Sequence, residues 1–226
     1  MGELKVSDKE IVVPGQLLAT GMDYLPSGDV FRDNDKLIAS RIGLINISGR
    51  VIKLIPLRGI YSPKRDDIVI GKVVDTTLHG WRVDIGLAYE GNISLRDGSS
   101  DYIETSELSK YYAVGDYVVA QITKVIGAKI VDLTMKNPGL RKLGPGRLMR
   151  VTSVKVPRIV GKQGSMISMI KDATDCKISV GQNGLVWISG LEPKNEEKAV
   201  KAIELIERES HTSGLTERVK EFLEKK

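Results

Sequence analysis

Lys162 and Gln163 stand between two glycines, Gly161 and Gly164, at the head of a segment whose apolar residues recur at helical spacing. Glycine at both ends lets the backbone turn sharply and lets another chain come close without meeting a Cβ. The start of the following helix offers unpaired N–H groups and a partial positive charge, and Lys162 adds a full one. Such a loop suits an anion. Spacing alone proves little, because 23 glycines in 226 residues should give about two such pairs by chance, and the chain contains two. The second, Gly181-Gln182-Asn183-Gly184, holds Asn-Gly between "CKISV" and "LVWIS" and reads as the turn of a β-hairpin. For the first, a tight helix-to-helix turn with an incidental lysine is the competing reading.

Charge around the first pair favours the anion. The net charge of +5 and a pI near 9.1 are only mildly basic, but the cations are segregated. Between Leu133 and Lys171 there are nine (Lys136, Arg141, Lys142, Arg147, Arg150, Lys155, Arg158, Lys162, Lys171) and no Asp or Glu. A positive field without internal neutralisation suits a polyanion such as nucleic acid. A merely solvated basic surface is the bland alternative.

Other chemistry finds little support. One cysteine, Cys176, excludes an internal disulfide and any cysteine-rich zinc module, and it opens an apolar strand, which suits a buried thiol. His79 and His211 are far apart and lack partners at ligand spacing, so no metal or other cofactor is expected. Asp66 and Asp67 are adjacent, but neighbours on a strand point to opposite faces and cannot readily share a metal. With no Ser/His/Asp set and no phosphate-cradling P-loop, a binding module is expected rather than an enzyme. No apolar run approaches the ~20 residues that cross a bilayer, so the expectation is a cytoplasmic protein without membrane contact.

Three segments must position these residues. Residues 1–62 alternate short β patterns with turns, including a hairpin about Ser48-Gly49-Arg50, and form a small all-β unit whose acids (Asp23, Asp29, Asp33, Asp35) read as turn formers. Residues 63–137 hold five strand patterns, "DDIVIGKVVDTT", "GWRVDIG", "YEGNISL", "DYVVAQITKVI" and "KIVDLTMK", with a long polar connection before the fourth. That fits an OB-type barrel. Residues 138–226 change period: a strand "LMRVTSVKV", a helix with Met166, Ile167, Ile170 and Ala173 on one face, the hairpin, and an amphipathic helix with Ala199, Ile203 and Ile206 inward. A final amphipathic stretch carries Leu215, Val219, Phe222 and Leu223. Only Pro157 to Val160 separates the first strand from Gly161, so the first helix of this segment should be very short.

The barrel resembles the S1 RNA-binding domain through Gly71 and Val73, Gly80 to Gly86, Gly91 and Ile93, Gly115-Asp116, and Leu133 to Lys136. The third segment resembles a KH domain of eukaryotic-type topology, with Val160 to Ile170 matching its central motif at every defining position. The KH resemblance implies that Gly161, Lys162, Gln163 and Gly164 clamp the backbone of about four nucleotides of single-stranded RNA. Lys155, Arg158 and Arg150, from the same basic run, are expected to contact the RNA as well. S1 domains usually expose an aromatic in the strand "GWRVDIG", on which a base stacks. Alternation instead groups Trp81 with Val83 and Ile85 as a buried face and leaves Arg82 exposed, an exposed Trp81 being the alternative. His79 and Lys72 are candidates for the same surface as Arg82, a merely solvated role being the alternative for each.

Together, the three segments resemble the RNA-binding cap subunits of the archaeal exosome. The other cap type ends in a zinc ribbon, which a chain with one cysteine cannot build. The resemblance implies a non-catalytic subunit, three copies of which sit on a hexameric ring of RNase PH-like nuclease subunits and guide single-stranded RNA into its pore for 3′-to-5′ degradation. The N-terminal domain would dock on the ring. Polynucleotide phosphorylase also has KH and S1 domains, but in the opposite order and behind catalytic domains absent here. An S1/KH RNA-binding factor in transcription or translation is the second reading.

Overall fold

The computed structural model describes residues 2–99, 107–127, 130–210, 212 and 214–224. His211 therefore lies outside the described residues. The chain divides into two compact units, Met1–Ile60 and Tyr61–Lys226.

The first unit is built from eight short strands: β1 (Glu3–Leu4), β2 (Ile11–Val12), β3 (Leu17–Thr20), β4 (Leu25–Gly28), β5 (Val30–Asp33), β6 (Lys36–Ala39), β7 (Gly43–Ser48) and β8 (Val51–Pro56). They form two sheets, ordered β1-β3-β6-β5 and β2-β7-β8-β4. Between β7 and β8 the register runs Ser48 to Val51, so Gly49 and Arg50 make a two-residue turn, with Gly49 at φ 59°. Alternation supplies the core: Leu18, Leu37, Ile45, Ile52 and Leu54 are buried, while the residues between them face outward.

The second unit starts with β9 (Ile68–Thr77), β10 (Gly80–Asp84), β11 (Gly91–Ser94), β12 (Tyr117–Ile126) and β13 (Ile130–Thr134). β11 pairs parallel with β13, β13 antiparallel with β12, and β12 antiparallel with β9, which closes a five-stranded OB-like barrel. Short helices α1 (Leu95–Gly98) and α2 (Leu108–Tyr111) lie in the connection between β11 and β12. Val69, Val73, Val83, Ile93 and Leu133 fill the interior. Glycines appear where strands crowd: a Cβ on Gly71 would lie 2.4 Å from Val83, and one on Gly91 2.6 Å from Leu133.

The residues after the barrel are not a loose linker. Arg141–Lys142 form β14, which pairs antiparallel with β12 and so belongs with the barrel sheet. Leu140 and Leu143 pack with Ile70, Val119 and Trp187 in a small core between barrel and C-terminal segment.

The C-terminal segment comprises β15 (Arg147–Arg150), α3 (Val156–Val160), α4 (Ser165–Thr174), β16 (Lys177–Val180), β17 (Leu185–Ser189), α5 (Pro193–Glu209) and α6 (Leu215–Glu224). Its sheet has the order β15-β17-β16, all antiparallel. Helices α3, α4, α5 and α6 share one core with it, containing Ile159, Ile170, Ile188, Ile203 and Val219. This is the KH arrangement with an added helix, and the whole chain is mostly β with this α+β portion at its end.

Two local expectations change. "LMRVTSVKV" reads as one strand, yet the strand ends at Arg150 and a 3₁₀ turn spans Ser153–Lys155 before α3. The turn is held by Glu207, whose carboxylate accepts from the Thr152 N–H at 2.7 Å and from its hydroxyl at 2.6 Å. Val156 and Ile159, three apart, are then buried together as a helical pair. On α4, Ala173 is exposed and Thr174 takes the buried position, because its hydroxyl donates to the Ile170 carbonyl at 2.7 Å and leaves no polar group unsatisfied.

Candidate nucleic-acid interface

The loop between α3 and α4 is open to solvent and conformationally demanding. Gly161 has φ 76° and ψ 175°, Gln163 φ 53° and Gly164 φ 80°. The two glycines are not equivalent. A Cβ on Gly161 would lie 2.7 Å from both the amide nitrogen and the Cβ of Met166, whereas one on Gly164 would meet nothing within 4 Å. Gly161 thus keeps the first turn of α4 uncovered. No side chain caps that helix end, and Lys162 and Gln163 project exposed beside it.

The cations of the basic run separate by environment. Lys155 is half-buried and donates to the Glu207 carbonyl at 2.8 Å, which satisfies a C-terminal carbonyl of α5 and draws its ammonium away from the loop. Lys142 pairs with Asp116. Against burial, that ammonium and the Ala113 N–H, 2.7 Å from the carboxylate, hold Asp116 below the usual carboxylate range. Arg141 reaches the Ser179 hydroxyl at 3.1 Å. Arg150, Arg158 and Lys162 are exposed and have no ion-pair partner among the described residues.

On the barrel, Trp81 is 1% exposed. Its Nε1–H donates to the Tyr112 carbonyl at 3.0 Å, and its ring meets that of Tyr112 edge-to-face with centroids 5.0 Å apart. No base can stack on it. Arg82 is exposed, as alternation requires, but its guanidinium is bracketed by Glu90 at 2.6 Å and Asp75 at 3.6 Å. The Glu90 hydrogen bond, with its charge, pushes Arg82 further up from its ordinary value. His79, Arg82, Arg65 and Lys124 line a groove of about 750 Å³ across the barrel face, with Asp97 and Asp132 beside them.

Lys72 is not on that groove. It lines a separate cleft of about 210 Å³ where barrel and KH sheet meet, together with Arg150, because β9 carries it to the end of the barrel beside Asp84 and Tyr117. Apart from Lys155, the candidate residues therefore fall into three places: the KH loop, the barrel groove and the junction cleft.

Sequence reasoning missed what makes the junction. The second glycine pair is a hairpin turn, but its Asn183 hydrogen-bonds barrel backbone at Ile70 and Ile85, and the Gln182 N–H donates to the Ile68 carbonyl at 2.7 Å. A Cβ on Gly181 would lie 2.7 Å from the Ile70 nitrogen, so glycine is what permits the approach. The available signal was "IVIGKVV": Ile70 is apolar on the outer face of a barrel strand, and a strand apolar on both faces needs cover on both. Among the described residues no group of three or more His, Cys, Asp or Glu could hold a metal ion, and no helix is long and apolar enough to cross a membrane.

A closed OB-like barrel followed by a KH domain with an open Gly-Lys-Gln-Gly loop and a segregated basic surface defines an RNA-binding protein of the S1/KH class. Residues 147–205 match the family model described as KH domain, and residues 9–58 match that of the exosome RNA binding protein RRP4 N-terminal domain. The chain is 43% identical over 222 residues to the exosome complex component Rrp4 of Methanothermus fervidus, covering 97% of each. To the same component of Thermococcus kodakarensis it is 42% identical over 228 residues, covering 99% of this chain and 88% of that one. A crystal structure provisionally described as an exosome complex RNA-binding protein superimposes with a TM-score of 0.64 at 32% identity, covering 74% of this chain and 96% of the other. The chain belongs to the Rrp4 family of exosome components.

Proposed function

We propose that this chain is the non-catalytic RNA-binding cap of an exosome in the cytoplasm. In this reading three copies sit on a hexameric ring of RNase PH-like subunits and pass single-stranded RNA to its pore for 3′-to-5′ degradation. The observation that carries it is membership of the Rrp4 family over nearly the whole chain, N-terminal unit included. Lys162, Gln163, Arg158 and the two loop glycines hold RNA backbone at the KH loop, while Arg82 and His79 contact it on the barrel.

The N-terminal unit has the surface that docking needs. Ile11 opposes Leu44 and Leu44 opposes Ile55 across β2, β7 and β8, so the three share the outer face of that sheet. Ile11 is 60% exposed and Ile55 43%. Ile42 and Leu57, joined by a backbone hydrogen bond of 3.2 Å, continue the apolar row. An exposed apolar sheet face of this kind suits a protein partner better than RNA.

The test is size-exclusion chromatography of the full chain, and of an Ile11→Asp/Ile55→Asp variant, with the purified ring, followed by phosphate-dependent degradation of one RNA. The wild-type chain should co-elute and increase processivity, since tethering makes each later encounter intramolecular. The variant should stay free while still binding RNA. The chain alone should neither shorten RNA nor consume phosphate. Equal degradation with and without the wild-type chain would remove the reading, and co-purification with ribosomes or RNA polymerase instead of the ring would replace it.

A further inference from the structure

The cleft between barrel and KH sheet belongs to neither the KH loop nor the barrel groove, and its lining is chemically mixed. Lys72 and Arg150 come from opposite walls, one on β9 and the other at the end of β15. Tyr117, Leu148 and Leu185, all half-buried and packed on the junction core, supply an aromatic ring and two aliphatic side chains. The acid present is Asp84, and its Oδ1 is turned back to accept the Gly86 N–H at 2.7 Å. Neither Lys72 nor Arg150 has an ion-pair partner among the described residues.

Two cations on one cleft with an apolar and aromatic lining match a group that is anionic at one end and flat at the other. The volume of about 210 Å³ is below the roughly 300–1,000 Å³ of sites that enclose a drug-sized molecule, so the cleft takes one unit of a chain rather than a whole cofactor. The walls are fixed relative to each other. Ile70, Val119, Leu143 and Trp187 form a closed core behind them, and the Asn183 amide is bonded to the β9 backbone. The cleft is thus present before any ligand arrives.

We propose that this junction is a third RNA subsite, which binds a single nucleotide of the strand with its phosphate at Lys72 and Arg150 and its base against Tyr117 and Leu148. It rests on the RNA-binding reading above and adds a contact that neither the S1-like nor the KH surface supplies. Contact with a base is by stacking and apolar packing, so the site is tolerant of sequence.

The experiment uses the full chain and a short oligoadenylate. Ultraviolet crosslinking of the wild-type complex, read by mass spectrometry, should mark Tyr117. In filter binding, Lys72→Ala/Arg150→Ala should weaken affinity about tenfold at low salt, the loss expected for charge-assisted phosphate contacts. If both cations meet phosphate, the slope of log affinity against log salt should become about 1.4 less steep, at about 0.7 per contact. Both side chains are exposed, and near-ultraviolet circular dichroism of Trp187 checks that the junction is retained. Lys162→Asp/Gln163→Asp is the comparison. If that variant loses binding while the junction variant keeps its affinity and slope and no crosslink falls in the cleft, the third subsite is wrong and the KH reading stands. If the wild-type chain itself retains no RNA, the RNA-binding reading fails with it.

Discussion

The side-chain amide of Asn183 closes a two-point hydrogen-bonded ring on the backbone of Ile70. Its Oδ1 accepts from the Ile70 N–H at 3.2 Å, and its Nδ2 donates to the Ile70 carbonyl at 2.7 Å and to the Ile85 carbonyl at 2.9 Å. β10 ends its pairing with β9 at Asp84 opposite Lys72, so Asn183 occupies the backbone edge that the next residues of β10 would have covered. One side chain does the work of a missing strand partner.

Replacing Asn183 by Ala should therefore cost more than a surface substitution. Ile70 is fully buried, and losing its partners leaves an unsatisfied N–H and carbonyl, worth about 2–3 kcal/mol together. The expected result is a lower urea midpoint and faster hydrogen exchange at the Ile70 amide, with the barrel interior about Val83 unchanged. Gly181→Ala should act in the same direction, since its Cβ would press on the same nitrogen. Unchanged exchange at Ile70 in both variants would refute the clamp.

The two loop glycines should respond differently to the same change. Both have positive φ, so alanine at either costs about 1 kcal/mol in backbone strain. At Gly161 the added Cβ also collides with Met166, so Gly161→Ala should be the more destabilising by at least about 1 kcal/mol. Thermal unfolding of the two variants decides it, and equal losses would mean that the loop relaxes to remove the collision.

Arg82 is held by acids that an RNA phosphate would have to displace. Glu90→Gln removes the closer charge, 2.6 Å away, and should strengthen single-stranded RNA binding severalfold, whereas Arg82→Ala should weaken it. Filter binding at fixed salt separates these outcomes. No change in either variant would exclude the barrel groove as a contact.

The Asp116–Lys142 pair predicts a pH dependence. The folded-state value of Asp116 is lowered, so its contribution is fully present above the ordinary carboxylate value near 3.9 and is lost as pH falls through the lower folded value. Stability of the wild type minus that of Asp116→Asn should be flat above about pH 5 and decline below about pH 4. Denaturation midpoints measured across that range check it. A difference that instead grew on acidification would reverse the assignment.

Much of this was legible because it follows from short-range rules. The period of two put Trp81 inside and Arg82 outside, and five apolar patterns with a long gap before the fourth described the barrel. Glycines flanking Lys162-Gln163 at a helix start marked the loop. What escaped depended on distant partners. Thr152 to Lys155 read as strand until Glu207, 55 residues on in sequence, captured Thr152. The hydrogen bond from Lys155 to the Glu207 carbonyl was hidden for the same reason, and Lys72 read as a neighbour of His79 because nothing local shows which end of β9 faces the KH sheet. Asn183 looked like half of a turn signal, and its role as a backbone mimic exists only once the barrel stands beside it.

The docked Gly181–Gly184 turn has a consequence for how long a strand must be. A hinged pair of domains can adjust its spacing to whatever oligonucleotide it meets. Here β9 and the KH hairpin share hydrogen bonds and a core, so the separation between the Lys162 loop and the barrel groove is a fixed length built into the molecule. If both surfaces hold RNA as proposed, an oligonucleotide shorter than that length gains one contact surface only. One that just spans it gains the second without any further search, at an effective concentration set by the molecule rather than by the solution. Affinity should then rise as a step with strand length instead of a gradient, which would make the fixed junction a gauge of strand length.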